Sequence, residues 1–150
     1  MPTLLIVQHT PSIAMQEMLE ATLRGAHTPE LGPINVEVRA ALSSGPVDVL
    51  AADAVILGTP ANIGYMSGAL KHFLDQVYYP CMEVTRGLPY GVFVHGNNDT
   101  TGALRAIHSI VGGMKWKQVA PDVSLLGPPT SKDLDNCEEL GALVGSAITG

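Results

Sequence analysis

The chain has 150 residues, of which 46% are hydrophobic and 15% charged, and its formal net charge at pH 7 is -6. This balance excludes an intrinsically disordered chain and predicts one folded domain over residues 1–150. The sequence contains no basic stripe, so nucleic acid is excluded as a main partner.

The two cysteines and the start of the chain bear on its compartment. Cys81 and Cys137 lie far apart and outside any CxxC or Cys/His pattern, which predicts reduced thiols in a cytoplasmic protein. Met1, Pro2 and Thr3 lead into an apolar run with no basic segment before it. No apolar run reaches ~18 residues. We therefore expect neither a signal peptide nor a membrane span.

Five apolar segments are predicted to form β-strands. An uninterrupted apolar run is typical of a strand buried on both faces, whereas alternating apolar and polar residues indicate one wetter face. The second segment alternates in this way, and Pro121 is expected to interrupt the fifth. The predicted strands cover residues 4–7, 34–40, 54–57, 91–94 and 119–125.

Amphipathic helices are predicted between these strands, because apolar residues recur there at three- and four-residue spacing. Ser12 is expected to cap the first helix, Gly25 to close it, and Ser67 to cap the third. The predicted helices cover residues 12–25, 46–52, 67–77 and 101–111, followed by a last helix whose apolar stripe is Leu134, Cys137, Leu140 and Val144.

The alternation of strand and helix predicts an α/β three-layer sandwich with a parallel sheet. Five strands in this length fit the flavodoxin-like order 2-1-3-4-5. A response-regulator-like sheet would need an acidic cluster after the first strand, where this chain has Gln8, His9 and Thr10. Ligands of such sheets bind at the carboxyl ends of the strands, which predicts a site on the loops after the first, third and fourth strands.

The loop after the third strand carries the most specific motif. Thr59 and Pro60 end the strand, Gly64 allows a tight turn, and Ser67 precedes a helix. Residues 53–75 resemble the flavin loop of the flavodoxin-like NAD(P)H:quinone oxidoreductases and FMN reductases, which reads Gly-Thr-Pro, a glycine, Met-Ser and a Lys/Phe-Leu-Asp helix. The resemblance implies an FMN whose ring lies against this loop, with contacts from Thr59, Pro60, Ala61, Asn62, Ile63, Gly64 and Tyr65.

The loop after the first strand is expected to hold the FMN phosphate, because a helix N-terminus offers free N–H groups and a partial positive charge. The family pattern there is Ser/Thr-x-Thr-Gly-Asn-Thr, and Thr10 and Ser12 keep its hydroxyls. Ile13, Ala14 and Met15 replace its glycine, asparagine and threonine, which predicts a weaker hold on the phosphate. That Ser12 serves only as a helix cap is the alternative.

The loop after the fourth strand comprises His95, Gly96, Asn97, Asn98 and Asp99. In the resembling families it packs beside the pyrimidine edge of the flavin and offers backbone donors. The alternative is a plain turn at the two asparagines, with the aspartate only capping the next helix.

The remaining polar and aromatic side chains give weaker signals. The histidines lack metal-ligand spacing, so no metal site is predicted. His9 and His95 end strands at the predicted edge, as polar lining or as proton donors. Trp116 is assigned to packing. The candidates for a substrate pocket flank the helix after the flavin loop: Tyr65, Tyr78, Tyr79, Cys81 and Met82.

The resemblance implies an FMN-dependent oxidoreductase that transfers electrons from NAD(P)H to a quinone-like or other small acceptor. The flavin would perform the redox chemistry, and the protein would supply position and electrostatics. Two alternatives stay open: an electron-carrier flavodoxin without NAD(P)H turnover, and a flavodoxin-fold binding module with weak or no FMN. The sequence names no catalytic acid, and it leaves the oligomeric state open, with a homodimer and a homotetramer among the alternatives.

Overall fold

Parallel strands form the centre of the molecule in the computed structural model, which describes residues 1–149. The strands are β1 Thr3–Gln8, β2 Asn35–Ala40, β3 Ala54–Asn62, β4 Tyr65–Met66, β5 Pro89–Gly96, β6 Lys117–Gln118 and β7 Val123–Leu126. The sheet order is β2-β1-β3-β5, and β6 and β7 both pair with β5 at one edge. The pairs along this order are parallel, which confirms the predicted order 2-1-3-4-5.

Helices cover both faces of this sheet. The predicted caps are confirmed: Ser12 Oγ accepts from Met15 N at 3.2 Å, and Ser67 Oγ accepts from Leu70 N at 3.2 Å. Within residues 1–149, none of the helices is both long and apolar enough to cross a bilayer. The helices are α1 Ile13–Ala26, α2 Pro46–Leu50, α3 Gly68–Cys81, α4 Thr101–Gly113 and α5 Ser131–Ser146, with short 3-10 turns at Pro29–Leu31 and Ala41–Ser43.

The sheet separates two hydrophobic cores, one on each face, because alternate side chains of a strand point to opposite faces. Leu5 and Val7 pack with α2, α3 and α4, whereas Leu4 and Ile6 pack with α1 and α5. All four are fully buried, which is worth about 1.5–3 kcal/mol for each side chain. The two cysteines are unpaired and lie in opposite cores, Cys81 in the first and Cys137 in the second.

Several elements differ in extent from the sequence prediction. β3 continues to Asn62 instead of ending at Leu57. The fifth strand is broken into β6 and β7, with Pro121 between them, as the proline predicted. Gly25 does not end α1, which continues to Ala26. Its role is close packing, since a Cβ there would lie 1.7 Å from the carbonyl oxygen of Glu138 on α5.

Candidate functional site

The N-terminus of α1 meets the carboxyl edge of the sheet. The first N–H groups of an α-helix have no partner within the helix. Ser12 Oγ takes the N–H of Met15, and Ser12 O accepts from Gln16 N at 3.1 Å. The N–H groups of Ile13 and Ala14 are therefore left for a ligand or for water. Ile13 is 81% exposed, so this end of the helix is open to solvent.

Two of the residues predicted for the phosphate loop turn away from this opening. Met15 is fully buried in the core between the sheet, α1 and α5. The Thr10 hydroxyl donates to the side-chain oxygen of Gln8. The structure thus brings Ser12, Ile13 and Ala14 together as the exposed part of the predicted loop.

The loop predicted after the third strand is a β-hairpin. β3 and β4 pair antiparallel, with Ala61 opposite Met66 and Asn62 opposite Tyr65. Ile63 and Gly64 form its two-residue turn with φ of 51° and 72°, as a type I′ turn requires. Positive φ is expected at a glycine, but a β-branched residue adopts it only under strain. Ile63 is nevertheless fully exposed, so no burial compensates for that strain.

The base of the hairpin is fixed to the start of α3. Thr59 is fully buried, and its hydroxyl accepts from Ser67 N at 3.0 Å and lies 3.0 Å from Ser67 Oγ. Pro60 is buried beside it. Thr59 and Pro60 were both predicted as site residues, but they are buried at the base of the hairpin. Neither lines a cavity at this edge of the sheet.

Close backbone approach positions the tip of the hairpin. A Cβ at Gly102, in the first turn of α4, would lie 1.9 Å from the carbonyl oxygen of Gly64. A Cβ at Gly96 would lie 3.4 Å from the Cβ of Ala61. The hairpin can lie this close to α4 only because position 102 is a glycine, whereas a Cβ at position 96 would make a near-ordinary contact with Ala61.

The loop between β5 and α4 is ordered by Asp99. Its Oδ1 accepts from Thr101 N at 3.0 Å and from Thr101 Oγ1 at 2.7 Å. The backbone hydrogen bond is the main reason that the pKa of Asp99 lies below its ordinary value, followed by the hydroxyl. Asp99 therefore binds the first N–H of α4 from the position before the N-cap residue Thr100.

Two neighbouring cavities lie at this edge of the sheet and share Asn97. The helix cavity, about 300 Å³, is lined by Ile13, Ala14, Glu17, His95, Asn97, Gly127, Pro128 and Pro129. The hairpin cavity, about 190 Å³, is lined by Ala61, Ile63, Gly64, Asn97, Asn98 and Asp99. Residues of the three predicted loops thus line two cavities at one edge of the sheet.

Four lining residues were missed by the sequence analysis: Glu17, Gly127, Pro128 and Pro129. The last three follow β7, whose carboxyl end lies at the same edge as those of the other strands. The sequence could have indicated these three residues, because the topology places every loop that follows a parallel strand at this edge. Glu17 lies in the second turn of α1, and its position depends on how that helix crosses the sheet.

Several candidate pocket residues lie outside both cavities. His9 donates its backbone N–H to Gly58 O at 3.0 Å, and Tyr65 is 39% exposed on the hairpin. Cys81 is fully buried in the core, which corrects its assignment to a pocket. Trp116 is a packing residue as predicted, since it is 7% exposed and its Nε1 donates to Thr85 Oγ1 at 2.9 Å. Neither cavity is lined by Gly96, Tyr78, Tyr79 or Met82.

A separate polar cluster links α4 to the far edge of the sheet. The Tyr90 hydroxyl lies 2.7 Å from His108 Nδ1, and His108 Nε2 donates to Asp122 Oδ2 at 2.8 Å. Burial, and then the nearby Asp122 carboxylate, raise the pKa of Tyr90 to about 12. None of the three side chains lines the helix or hairpin cavity. The cluster joins β5, α4 and the segment between β6 and β7.

A family model identifies the chain. The model of the NADPH-dependent FMN reductases matches residues 46–127, which is more than half of the sequence. The chain belongs to this family. The matched segment contains the hairpin and the loop after β5, but not the N-terminus of α1. No curated protein sequence matches the chain.

Solved structures resemble this FMN reductase family member in fold over nearly its whole length. A flavodoxin from the domain Archaea has a TM-score of 0.82 at 20% identity, covering 97% of each chain. A flavodoxin, WrbA-like protein from Agrobacterium tumefaciens has a TM-score of 0.78 at 19% identity, covering 98% of this chain and 97% of its own. An oxidoreductase from Corynebacterium diphtheriae has a TM-score of 0.76 at 18% identity, and the match covers 99% of this chain and 97% of the oxidoreductase chain. The fold of this chain is therefore flavodoxin-like.

Replacing Ile63 by asparagine should stabilise this family member by about 1 kcal/mol, because asparagine tolerates the left-handed conformation that costs a β-branched residue about 1–2 kcal/mol. Urea unfolding would measure the change. Lys115, with φ of 61°, offers a matched control outside the site, and Lys115→Asn should give a similar gain. A gain at Lys115 without one at Ile63 would show that the hairpin turn is not strained.

Proposed function

We propose that this chain is an FMN-dependent oxidoreductase that takes electrons from NAD(P)H and passes them to a quinone-like or other small acceptor. The observation that carries the proposal is the pair of adjoining cavities at the carboxyl edge of the sheet, one at a helix N-terminus and one beneath a hairpin. A mononucleotide has the same two parts, a phosphate and a flat ring. Membership of the FMN reductase family supports the same ligand. Two buried free thiols favour a reducing, cytoplasmic compartment.

The helix cavity suits the phosphate of FMN. Its donors are the free N–H groups of Ile13 and Ala14 at the positive end of α1, with the hydroxyl of Ser12 beside them. Among the described residues that line it, none is lysine or arginine. The phosphate would therefore be held by backbone groups and the helix dipole.

The hairpin cavity suits the ring. Ala61, Ile63 and Gly64 would border one side of the ring, and Asn97 and Asn98 its polar edge. Neighbouring Asn62, Tyr65 and Gly96 would shape the backbone around it, from inside the hairpin and from the end of β5. When bound, the isoalloxazine ring of FMN supplies hydride and electron transfer.

An open face of the ring favours an enzyme over a carrier. None of the described residues lining the hairpin cavity is aromatic, so no side chain there stacks over both faces of a flat ligand. An enzyme needs such a free face, because nicotinamide and then the acceptor must approach it in turn. The residues of this chain would hold and orient the flavin and exclude water from one side only.

Mixing the FMN-loaded protein with NADPH or NADH in a stopped-flow instrument should bleach the oxidised-flavin absorbance faster than it bleaches free FMN. Addition of a quinone should then restore the absorbance. If neither nucleotide reduces the bound flavin while dithionite reduces it in two separate one-electron steps, the protein is a carrier. If FMN does not bind at all, the protein is a binding module that lacks the flavin.

A further inference from the structure

One of the side chains that line the helix cavity is a buried histidine. His95 lies near the end of β5 and is 8% exposed. Its Nε2 lies 2.8 Å from Gly127 O. Because a carbonyl oxygen only accepts, Nε2 carries hydrogen whether the ring is neutral or charged. Any change of protonation at His95 therefore occurs at Nδ1.

Nδ1 of His95 is available to a ligand. Within residues 1–149, every side-chain nitrogen or oxygen that is fully enclosed has a hydrogen-bond partner. The described residues supply a partner to Nε2 but not to Nδ1. Nδ1 is therefore not sealed from solvent, and His95 is one of the residues that line the helix cavity.

No lysine or arginine is among the described residues that line the helix cavity, so a positive charge for an anion there would have to come from His95. On α1, the N–H groups of Ile13 and Ala14 are favourable to an anion, whereas the Glu17 carboxylate is unfavourable. Across the sheet, His95 is flanked by Pro60 on β3 and Leu125 on β7, which do not titrate. The other lining residues, at 97 and 127–129, are also uncharged. Among the described lining residues, the imidazole is the one side chain able to gain positive charge.

We propose that His95 is the counter-ion of the FMN phosphate in this chain, an inference that rests on the proposed function. In the complex the charged imidazole donates from Nδ1–H to a phosphate oxygen and from Nε2–H to Gly127 O. The residue thus supplies the charge that the loop at Thr10 to Met15 lacks. It distinguishes FMN from riboflavin, which has the same ring and no phosphate.

This role makes FMN binding depend on pH. Imidazole is the side chain that ordinarily gains its proton between about pH 8 and about pH 5. A ligand that binds the charged ring takes up a proton, so its affinity rises as the pH falls through this range. Riboflavin binding should not change, because nothing in that ligand faces Nδ1 with negative charge. The Glu17 side chain lines the same cavity and should weaken FMN binding without removing the pH dependence.

The test measures dissociation constants of FMN and riboflavin, by quenching of flavin fluorescence, from about pH 8 to about pH 6. For the wild-type protein FMN should bind roughly tenfold more tightly at the acid end, as a charge-assisted hydrogen bond implies. His95→Gln, whose amide can still donate to Gly127 O, should abolish this dependence. Glu17→Gln should tighten FMN at every pH and keep the dependence. The second ionisation of the phosphate, near ~6, is common to all three proteins and cancels between them.

The outcomes separate this inference from the function on which it rests. If wild type binds neither flavin, the proposed function fails. If FMN binds with the same pH dependence in wild type and His95→Gln, or riboflavin shows that dependence equally, the role of His95 is overturned. Ring-nitrogen NMR shifts of His95 in the wild-type protein give a second readout that needs no variant. They should move toward the charged form with FMN and stay unchanged with riboflavin, and a failure to move with FMN would contradict the proposal.

Discussion

Replacing Gly102 by alanine is expected to weaken FMN binding by about tenfold or more while the domain stays folded. The new Cβ would lie 1.9 Å from Gly64 O, so the tip of the hairpin must move away from α4. Overpacking of this kind costs about 1–3 kcal/mol. Because Gly64 lines the hairpin cavity, moving it distorts the site proposed for the flavin ring and makes the free energy of FMN binding less favourable. A loss of about 1.4 kcal/mol in binding free energy corresponds to a tenfold loss of affinity. Titration with FMN measures it.

Gly112, near the other end of α4, is the matched control. A Cβ there meets no atom within 4 Å, so Gly112→Ala should leave FMN affinity unchanged. It should also stabilise the helix by about 0.5–1 kcal/mol, because glycine is a poor helix residue. Equal FMN affinities for the two variants would contradict the placement of the hairpin against α4.

Replacing Gly141 by alanine should lower the free energy of unfolding by about 1–3 kcal/mol. A Cβ at this position on α5 would lie 2.0 Å from the carbonyl oxygen of Thr22 on α1. Both partners are backbone, so neither can rotate away, and the two helices must separate. Their separation exposes part of the core that holds Met18 and Cys137. Urea unfolding measures the loss.

Gly68, at the start of α3, controls for the change in residue type. Nothing lies within 4 Å of a Cβ there, and Gly68→Ala should leave stability unchanged or slightly raised. A Gly141→Ala protein as stable as the wild type would mean that α1 and α5 do not approach as closely as described.

The sheet and its helices could be predicted because their signals are local. Leu4 to Val7 is an unbroken apolar run, as a strand buried on both faces requires, and Ser12 and Ser67 precede amphipathic segments that they cap. The carboxyl edge of the sheet then follows from the topology, which brought the residues of three loops to one place.

The hairpin could not be predicted, because its stabilising contacts are not local. A two-residue hairpin turn is normally signalled by Asn-Gly or Asp-Gly, and Ile63 is a poor residue for positive φ. The position of the turn depends on the close approach of Gly64 to Gly102, which lies 38 residues further along the chain. Thr59 shows the same limit: it was predicted among the residues that contact the flavin, and the bond between its hydroxyl and Ser67 inside the protein was not foreseen.

Crystals of the protein soaked in FMN would test the flavin site most directly. We expect density for the phosphate within hydrogen-bond distance of Ile13 N and Ala14 N, on the same side as His95. The ring should lie in the hairpin cavity between Gly64 and Asn97. Another cavity, of about 350 Å³, lies elsewhere, between β7 and α5. Density there alone, or none at saturating FMN, would contradict the site.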